Sequence, residues 1–385
     1  MAVYKIFPYK DTSLYSMFPT MNTGIDPILQ ISNLNFALNT APTVARSLLA
    51  FDSNEILDVI NNKITSTWDA RLRCYIATAQ GIVESSTLEI WPVGEYWWNG
   101  TGTYLDQPLT TDGSSWNSPQ FEEGKQWDGL STGYLSGSYF ITASYLPASA
   151  SAGGGNWVVY DTNGTNYKVS QTFNLRSDKD LNVGVSTIVS SWYSASSGLG
   201  GIINNGFILK WENAAEFNPN KQVQPVLQYY SVDTSTIYPP QLEFRWDDFV
   251  WNTSSAINVL NQPNAFISLA ENPGIFYSGS VNRFRLNVRP KYPTQVWSTS
   301  SLYTVQHYLP SGSTLYAVKD LDTNEYVIDF DNNYTQVSAD TTSSYFDIYM
   351  NGLEPERYYK ILIQVTAGGS TTIYDDNYYF KVKNG

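Results

Sequence analysis

Few residues in this chain have the types and spacing that chemistry needs. Asp320-Leu-Asp-Thr-Asn-Glu325 has the D-x-D-x-N spacing of an oxygen-rich calcium loop. It lacks the glycine and the distal bidentate glutamate of such loops, and it lies between two strand patterns, so a hairpin turn is expected instead. Glycoside hydrolysis needs two carboxylates about 5–10 Å apart across a cleft. Asp247-Asp248, Asp329 with Asp331, and Asp375-Asp376 are pairs by sequence, but spacing alone places none of them in a cleft. His307 is the only histidine, so no site of several imidazoles exists and no triad is specified. Cys74 falls on the apolar side of its strand pattern, which suits an inert thiol better than a nucleophile. Gly198-Leu-Gly-Gly201 lacks the strand-then-helix setting of a phosphate loop. No cofactor, no metal and no enzymatic activity are expected.

The strongest candidate for binding is the stretch 97–119, WWNGTGTYLDQPLTTDGSSWNSP. It has too many turn formers for a helix or a regular strand, yet it is crowded with aromatics. Trp97, Trp98, Tyr104, Trp116 and Trp127 could stack on the C–H faces of a sugar, with Asp106 and Asp112 fixing its hydroxyls. The other reading is that a long loop needs its own small core, which large rings supply. The second reading is preferred and the first is kept as the alternative. Arg283, Arg285 and Arg289 form a basic stripe on one strand face, either solvated or a docking stripe for an acidic neighbour, such as a second copy of the chain.

The elements that would hold these residues are strands. Arg71 to Ile76 alternates Leu72, Cys74 and Ile76 against Arg71, Arg73 and Tyr75. Thr87 to Trp91 and Asn282 to Arg289 alternate likewise, the latter with Phe284, Leu286 and Val288 on one side. Further strands are expected at Tyr4–Phe7, Asp26–Ile31, Tyr139–Tyr145, Gly206–Trp211, Gln241–Trp246, Tyr316–Lys319, Tyr326–Phe330, Tyr345–Met350, Tyr359–Val365 and Tyr378–Val382. Two short helices are expected at Asp52–Ile60 and Val185–Trp192. Ala148 to Gly155 reads as a flexible loop, and Asp161-Thr-Asn-Gly164 as a turn.

Hydrophobic residues make up 42% of the 385 residues and charged residues 15%, with a net charge of −13. That composition supports real cores and a neutral polar surface. The negative charge disfavours nucleic acid and anionic membranes. No window has the length of a membrane-spanning helix, and the N-terminus lacks the apolar core of a signal peptide, so folding in a cytoplasm is expected.

Several stretches, in order, resemble DNRLRE domains, which are related to family 96 carbohydrate-binding modules. Phe7-Pro-Tyr-Lys-Asp-Thr-Ser-Leu-Tyr15 is similar to the first strand of that family. Asn22-Thr-Gly-Ile-Asp26 with Ile28-Leu-Gln-Ile31 is similar to its second element, and Arg46-Ser-Leu-Leu-Ala-Phe-Asp52 to its third. Trp98, Gly100-Thr-Gly102, Pro108 and Asp112-Gly-Ser-Ser-Trp116 resemble its loop signature. Asp180 to Trp192, Tyr230-Ser-Val-Asp233 and Pro239 to Phe244 resemble its later elements, though Ser-Val-Asp stands where Ser-Arg-Glu is usual. The opening MAVYKIFP and the Trp246-Asp-Asp ending resemble structural proteins of contractile-tailed phages, especially those of marine cyanobacteria. Leu353-Glu-Pro-Glu-Arg-Tyr-Tyr359 resembles the corner of fibronectin type III and immunoglobulin-like domains, in which the tyrosine hydroxyl bonds back to the turn and Leu353, Pro355 and Tyr359 are structural.

The resemblance implies an all-β protein. A jelly-roll-type β-sandwich would span 1–248, a linker 249–279, and an immunoglobulin/fibronectin III-like β-sandwich 280–385. It further implies a virion structural protein of a tailed phage, in the tail, baseplate or neck, assembled in the host cytoplasm. Its partners would be other virion proteins and further copies of itself. The alternative is a carbohydrate-binding module for host adhesion, with a host surface polysaccharide as ligand.

Overall fold

The computed structural model describes residues 2–34, 43–82, 84–127, 153–160, 164–216, 224–253, 258–261, 264–292 and 307–385. The strand expected at 139–145, most of the loop 148–155 and the first three residues of the 161–164 turn lie outside them. The described chain is all-β with short helices, and it divides into two compact units. The larger comprises Ile6–Asn62 and Asp69–Glu243; the smaller comprises Met1–Lys5, Lys63–Trp68 and Phe244–Gly385.

The strands of the first 246 residues are β1 (Ala2–Ile6), β2 (Lys10–Tyr15), β3 (Ile28–Leu34), β4 (Thr43–Ala50), β5 (Trp68–Cys74), β6 (Ile76–Gln80), β7 (Ser86–Pro92), β8 (Val169–Phe173), β9 (Leu181–Gly184), β10 (Phe207–Trp211), β11 (Gln224–Tyr230) and β12 (Gln241–Trp246). The larger unit is organised on one antiparallel sheet, ordered β6-β11-β3-β4-β10-β7-β8, with β2 also on β4. β5 pairs with β9, and Ala70, Leu72 and Cys74 of β5 face inward. Helix α1 (Ser53–Asp58) starts where the Asp52 carboxylate accepts the Asn54 N–H at 2.9 Å. Helix α2 (Ser186–Ser196) buries Ile188, Val189 and Trp192, and the Trp192 ring lies 4.6 Å from that of Phe207 on β10.

The central strands are buried on both faces. β10 has no exposed residue, and β4 has one partly exposed end. Phe207, Leu209 and Trp211 point to one side of the sheet, and Ile208 and Lys210 to the other. On that second side Ile208 stands opposite Leu48 and Trp91, and Lys210 stands opposite Glu89. A half-exposed strand carries its charges in water. Here something covers them.

The smaller unit holds β13 (Asn258–Val259), β14 (Ala265–Leu269), β15 (Ile275–Tyr277), β16 (Val281–Pro290), β17 (His307–Tyr308), β18 (Thr314–Asp320), β19 (Tyr326–Ile328), β20 (Ser338–Ala339), β21 (Ser344–Tyr349), β22 (Tyr358–Ala367), β23 (Ser370–Tyr374) and β24 (Tyr379–Lys383). One sheet runs β14-β16-β21-β20; the other runs β15-β24-β22-β18-β19, with β23 also on β22. Their inner faces share a core of stacked rings, Phe284 on Phe346 at 5.5 Å and Tyr316 on Phe346 at 4.4 Å, with Phe276 edge-on to Phe380 at 5.5 Å. The expected linker 249–279 is not a bare connection. It supplies β13, β14 and β15, and β14 buries Ala265, Ile267 and Leu269 against this core. Asn261, Asn264, Asn272 and Pro273, which read as linker punctuation, lie between these short strands.

Leu353 and Tyr359 are buried and Pro355 is partly buried; the Tyr359 hydroxyl donates to the Glu354 carbonyl at 3.0 Å. Burial pushes the Tyr359 phenol well above its ordinary range, so it stays a donor at any physiological pH. Tyr359→Phe leaves that carbonyl without this donor, and the expected loss is about 1–2 kcal/mol in equilibrium urea unfolding.

Candidate functional site

The aromatic stretch is positioned by one asparagine. Asn22 is fully buried. Its side-chain N–H groups donate to Asn99 O at 2.7 Å and Ser114 O at 2.8 Å, and its Oδ1 accepts from the N–H groups of Gly24 and Gly102 at 2.9 Å each. Asn99 returns a bond to Gly24 O at 2.6 Å. The backbone closes so tightly here that a Cβ at Gly24 would lie 2.2 Å from Asn99 O, and one at Gly100 would lie 2.3 Å from Asn22 Oδ1. The N-x-G and G-T-G pieces of the sequence therefore form a single knot, with every polar group of the Asn22 side chain in use.

From that knot the stretch lies across the second face of the large sheet. Trp97, Trp116 and Trp127 are 0%, 4% and 1% exposed, and with Trp157 they pack on Leu14, Leu48, Trp91 and Ile208. Trp97 Nε1 donates to Asn205 O at 2.9 Å and Trp127 Nε1 to Ser115 O at 3.0 Å. Gly153 and Gly154, both at positive φ, bring their backbone flat against Trp116; a Cβ on either would come within 2.5–2.6 Å of its ring. The part of the expected flexible loop that is described is thus packed. Trp98 is half-buried. Tyr104 is 45% exposed, and its ring rests 4.9 Å from that of Tyr15 and 6.3 Å from that of Phe18.

Beneath this roof lies a charged cluster that sequence reading did not find. Arg46 donates from Nε to Glu216 Oε1 at 2.7 Å and from Nη1 to Gly154 O at 2.6 Å, and its Nη2 is 2.6 Å from Glu216 Oε1. Lys210 Nζ lies 3.1 Å from Glu216 and 3.9 Å from Glu89. Glu89 also takes Trp91 Nε1 at 3.1 Å and Lys168 at 2.6 Å. The Arg46 guanidinium sits 4.9 Å from the Trp116 ring centroid and 5.3 Å from that of Trp157, and Lys210 Nζ lies 5.2 Å from the latter. Arg46, Glu89, Lys210 and Glu216 are each at most 3% exposed. Burial pulls the Lys210 ammonium below its ordinary value, while Glu216 beside it acts the other way. Nearby, Lys10 Nζ donates to Trp97 O and lies 4.2 Å from both the Tyr96 and Trp97 rings; burial lowers its pKa to about 8.

The two carboxylates nominated for sugar hydroxyls face their own loop. Asp112 accepts from Thr101 N at 3.0 Å and Thr101 Oγ1 at 2.6 Å. Asp106 accepts from Thr103 N at 2.8 Å, Thr110 Oγ1 at 3.1 Å and Thr103 Oγ1, and the Thr103 bonds hold its carboxyl below the usual range. Asp11 is 1% exposed. Its Oδ2 accepts the Val232 N–H at 2.7 Å, and burial pushes its pKa up to about 8.

The remaining candidates belong to other elements. The Asp320 carboxylate caps its own turn, taking the N–H groups of Asp322 and Thr323, and accepts two bonds from Arg357 at 2.7 Å each. β18 and β19 form the antiparallel hairpin around it. The arginine stripe is largely satisfied within the unit. Arg283 makes two 2.9 Å bonds to Asp347, and Arg285 bonds Asp340 at 2.7 and 3.0 Å; Arg289 lies 4.4 Å from the Phe266 ring. Arg285 holds Asp340 well below the usual carboxylate range. His307 is partly buried on β17, and Cys74 is fully buried, its thiol pKa raised by that burial. Lys360 pairs with Asp375 at 2.5 Å, and Arg245 with Asp331 at 3.6 Å. Among the described residues no group of three His, Cys, Asp or Glu could hold a metal ion, and no helix is long and apolar enough to cross a membrane.

Two outcomes test this assignment. Trp116→Ala opens the roof over Arg46 and is expected to cost about 3–5 kcal/mol in denaturant unfolding, whereas Tyr104→Ala costs about 1 kcal/mol or less. The folded Asp11 carboxyl keeps its proton to higher pH than the unfolded one. The stability it contributes is therefore whole below about pH 4 and drains away between about pH 4 and 8. Asp11→Asn keeps an acceptor for Val232 but does not ionise. Its advantage over the parent is expected to grow across that window, at most by about 1.4 kcal/mol per pH unit, and to stay constant below it. Denaturation midpoints at four or five pH values read this directly.

No protein-family model matches the chain, and no curated protein matches it. Among solved structures, the crystal structure of a DUF4785 family protein from Legionella pneumophila subsp. pneumophila aligns at 9% identity over 98% of this chain, with a TM-score of 0.17. The chain spans 65% of that protein's length.

Proposed function

We propose that the chain is a non-enzymatic virion structural protein of a tailed phage, an accessory part of the tail, baseplate or neck. It acts through contacts with other virion proteins and with copies of itself. The phage assignment rests on the sequence resemblances given above. The observation that carries the mechanical part of the reading is the burial of Trp97, Trp116 and Trp127 on the sheet, with Asp106 and Asp112 bonded to the loop's own threonines. A loop so arranged reinforces a rigid sandwich and leaves little of itself for a ligand.

A glycan-binding role retains one supporting observation, the exposed ring of Tyr104, held by Tyr15 and Phe18. Aromatic surface of that kind can stack on a sugar, but the polar groups that would orient it are committed elsewhere.

Gradient-purified particles of the encoding phage distinguish the two readings. The expected result is the chain at a fixed copy number per particle, with cryo-EM density locking it between other virion proteins. Copies projecting freely with Tyr104 outward, together with glycan binding lost in Tyr104→Ala at unchanged melting temperature, would establish adhesion instead. Absence from the particle would overturn both.

A further inference from the structure

Two members of the basic stripe visible in the sequence, Arg283 and Arg285, are paired with aspartates, and a second basic surface lies on the other sheet of the smaller unit. On the outer face of β15, β24 and β22, Lys381 stands in register with Tyr358 on one side and Ile275 on the other. Lys360 stands opposite Tyr379, and Lys383 opposite Tyr277. The alternate residues Phe276, Phe380, Val382 and Tyr359 point into the core, so this face is fixed by the pleat. Tyr277, Tyr358, Tyr379 and Ile275 are 57%, 51%, 50% and 45% exposed. The face is therefore a checkerboard of ammonium groups and large, half-open apolar side chains.

Its charge is incompletely answered within the unit. Lys381 pairs with Glu356 and Lys360 with Asp375, both at the margins. Lys383 is close enough to Glu356 to share its charge with Lys381, and Lys319 on the neighbouring β18 lies 5.0 Å from the Tyr326 ring with no ion pair among the described residues, so four ammonium groups are answered by fewer carboxylates. The rest of the molecule has the opposite bias. The larger unit carries 21 Asp and Glu against 10 Lys and Arg, whereas the smaller carries 14 against 12. Tyrosine gives contact area and a hydrogen bond with little rotamer entropy to lose, and complementary charge steers the approach.

We propose that this lysine–tyrosine face docks the carboxylate-rich larger unit of a second copy of the chain. The face belongs to the smaller unit and the carboxylates it meets to the larger one, so the contact is head-to-tail and builds a ring or a filament rather than a twofold dimer. This deepens the reading of a self-associating structural part.

The test uses the purified full-length chain. Because no particle is involved, its outcome is separate from whether the chain is found in virions. Sedimentation velocity should show concentration-dependent association that weakens as salt is raised. Carbodiimide cross-linking of mixed isotope-labelled and unlabelled copies should join Lys319, Lys360, Lys381 or Lys383 of one copy to carboxylates within 6–62 or 69–243 of the other. Tyr379→Ser with Lys383→Glu should weaken association about tenfold or more at an unchanged melting temperature. Should that variant unfold, Lys383→Gln alone should still reduce the salt dependence. A chain that stays monomeric in low salt, association indifferent to these substitutions, or intermolecular cross-links confined to the smaller unit would each overturn the proposal.

Discussion

Four charges with almost no access to water, Arg46, Glu216, Lys210 and Glu89, set the terms for the larger unit. Removing an ion from water costs several kcal/mol, and only close partners with good geometry offset it. Arg46 has both, with a carboxylate at 2.6–2.7 Å and a backbone carbonyl at 2.6 Å. Each supporting feature follows from that need. The glycines at 153 and 154 let the chain come near enough to present the carbonyl. The short helix α3 (Asn213–Glu216) ends on the carboxylate that both cations share. Trp116 and Trp157 close the top with ring faces, which attract a cation while excluding water. The aromatic stretch and the charged face beneath it are thus two halves of one construction.

The smaller unit uses the same ions in another regime. Arg283 and Arg285 also find aspartates, but near the surface, where solvent screens most of the gain, while Arg357 meets the buried Asp320 from a partly exposed position. Their effect is mainly directional. Arg283 and Asp347 face each other across β16 and β21, and Arg357 ties the Asp320 turn to the start of β22. Stability there comes from the ring-stacked core between the sheets, and the ion pairs help to set register and turn geometry.

Much of the architecture was legible in the sequence, because period-2 alternation reports directly on half-buried strands. The runs at 87–91, 241–246 and 282–289 lie in strands, as does all but Gly206 of the run at 206–211; the run at 71–76 is instead broken at Tyr75, with β5 ending at Cys74 and Ile76 opening β6 in another sheet. The segment 249–279 was read as a linker because its strands are short and its punctuation dense; β14, with Ala265, Ile267 and Leu269 inward, is what that reading missed. The aromatic loop could be read only as two alternatives, since ring types do not say which way rings face. The charged cluster gave almost no signal. Arg46 and Glu216 are 170 residues apart, and Lys210 within Phe-Ile-Leu-Lys-Trp looks like the solvent side of an ordinary strand. The one local hint is an arginine and a lysine each set among apolar neighbours in strands that are otherwise core-like. The lysine–tyrosine face was hidden for a similar reason: its members come from three strands spread between residues 275 and 383.

The distances along the chain that hid the roof also bear on how it is built. Arg46 meets Gly154 across 108 residues and Glu216 across 170, and Lys10 meets Trp97 across 87. Contacts of such separation carry a large loop-closure cost, and the β4–β10 pairing beneath them carries the same one, so roof and sheet centre both belong to the later part of folding. A sheet that lacks its roof has its second face uncovered. That face presents Arg46, Lys210 and Glu89 among its aliphatic residues, and charges in the middle of an unfinished face discourage another chain from stacking on it. The ions that are costly to bury at the end make the half-built molecule less prone to aggregate on the way.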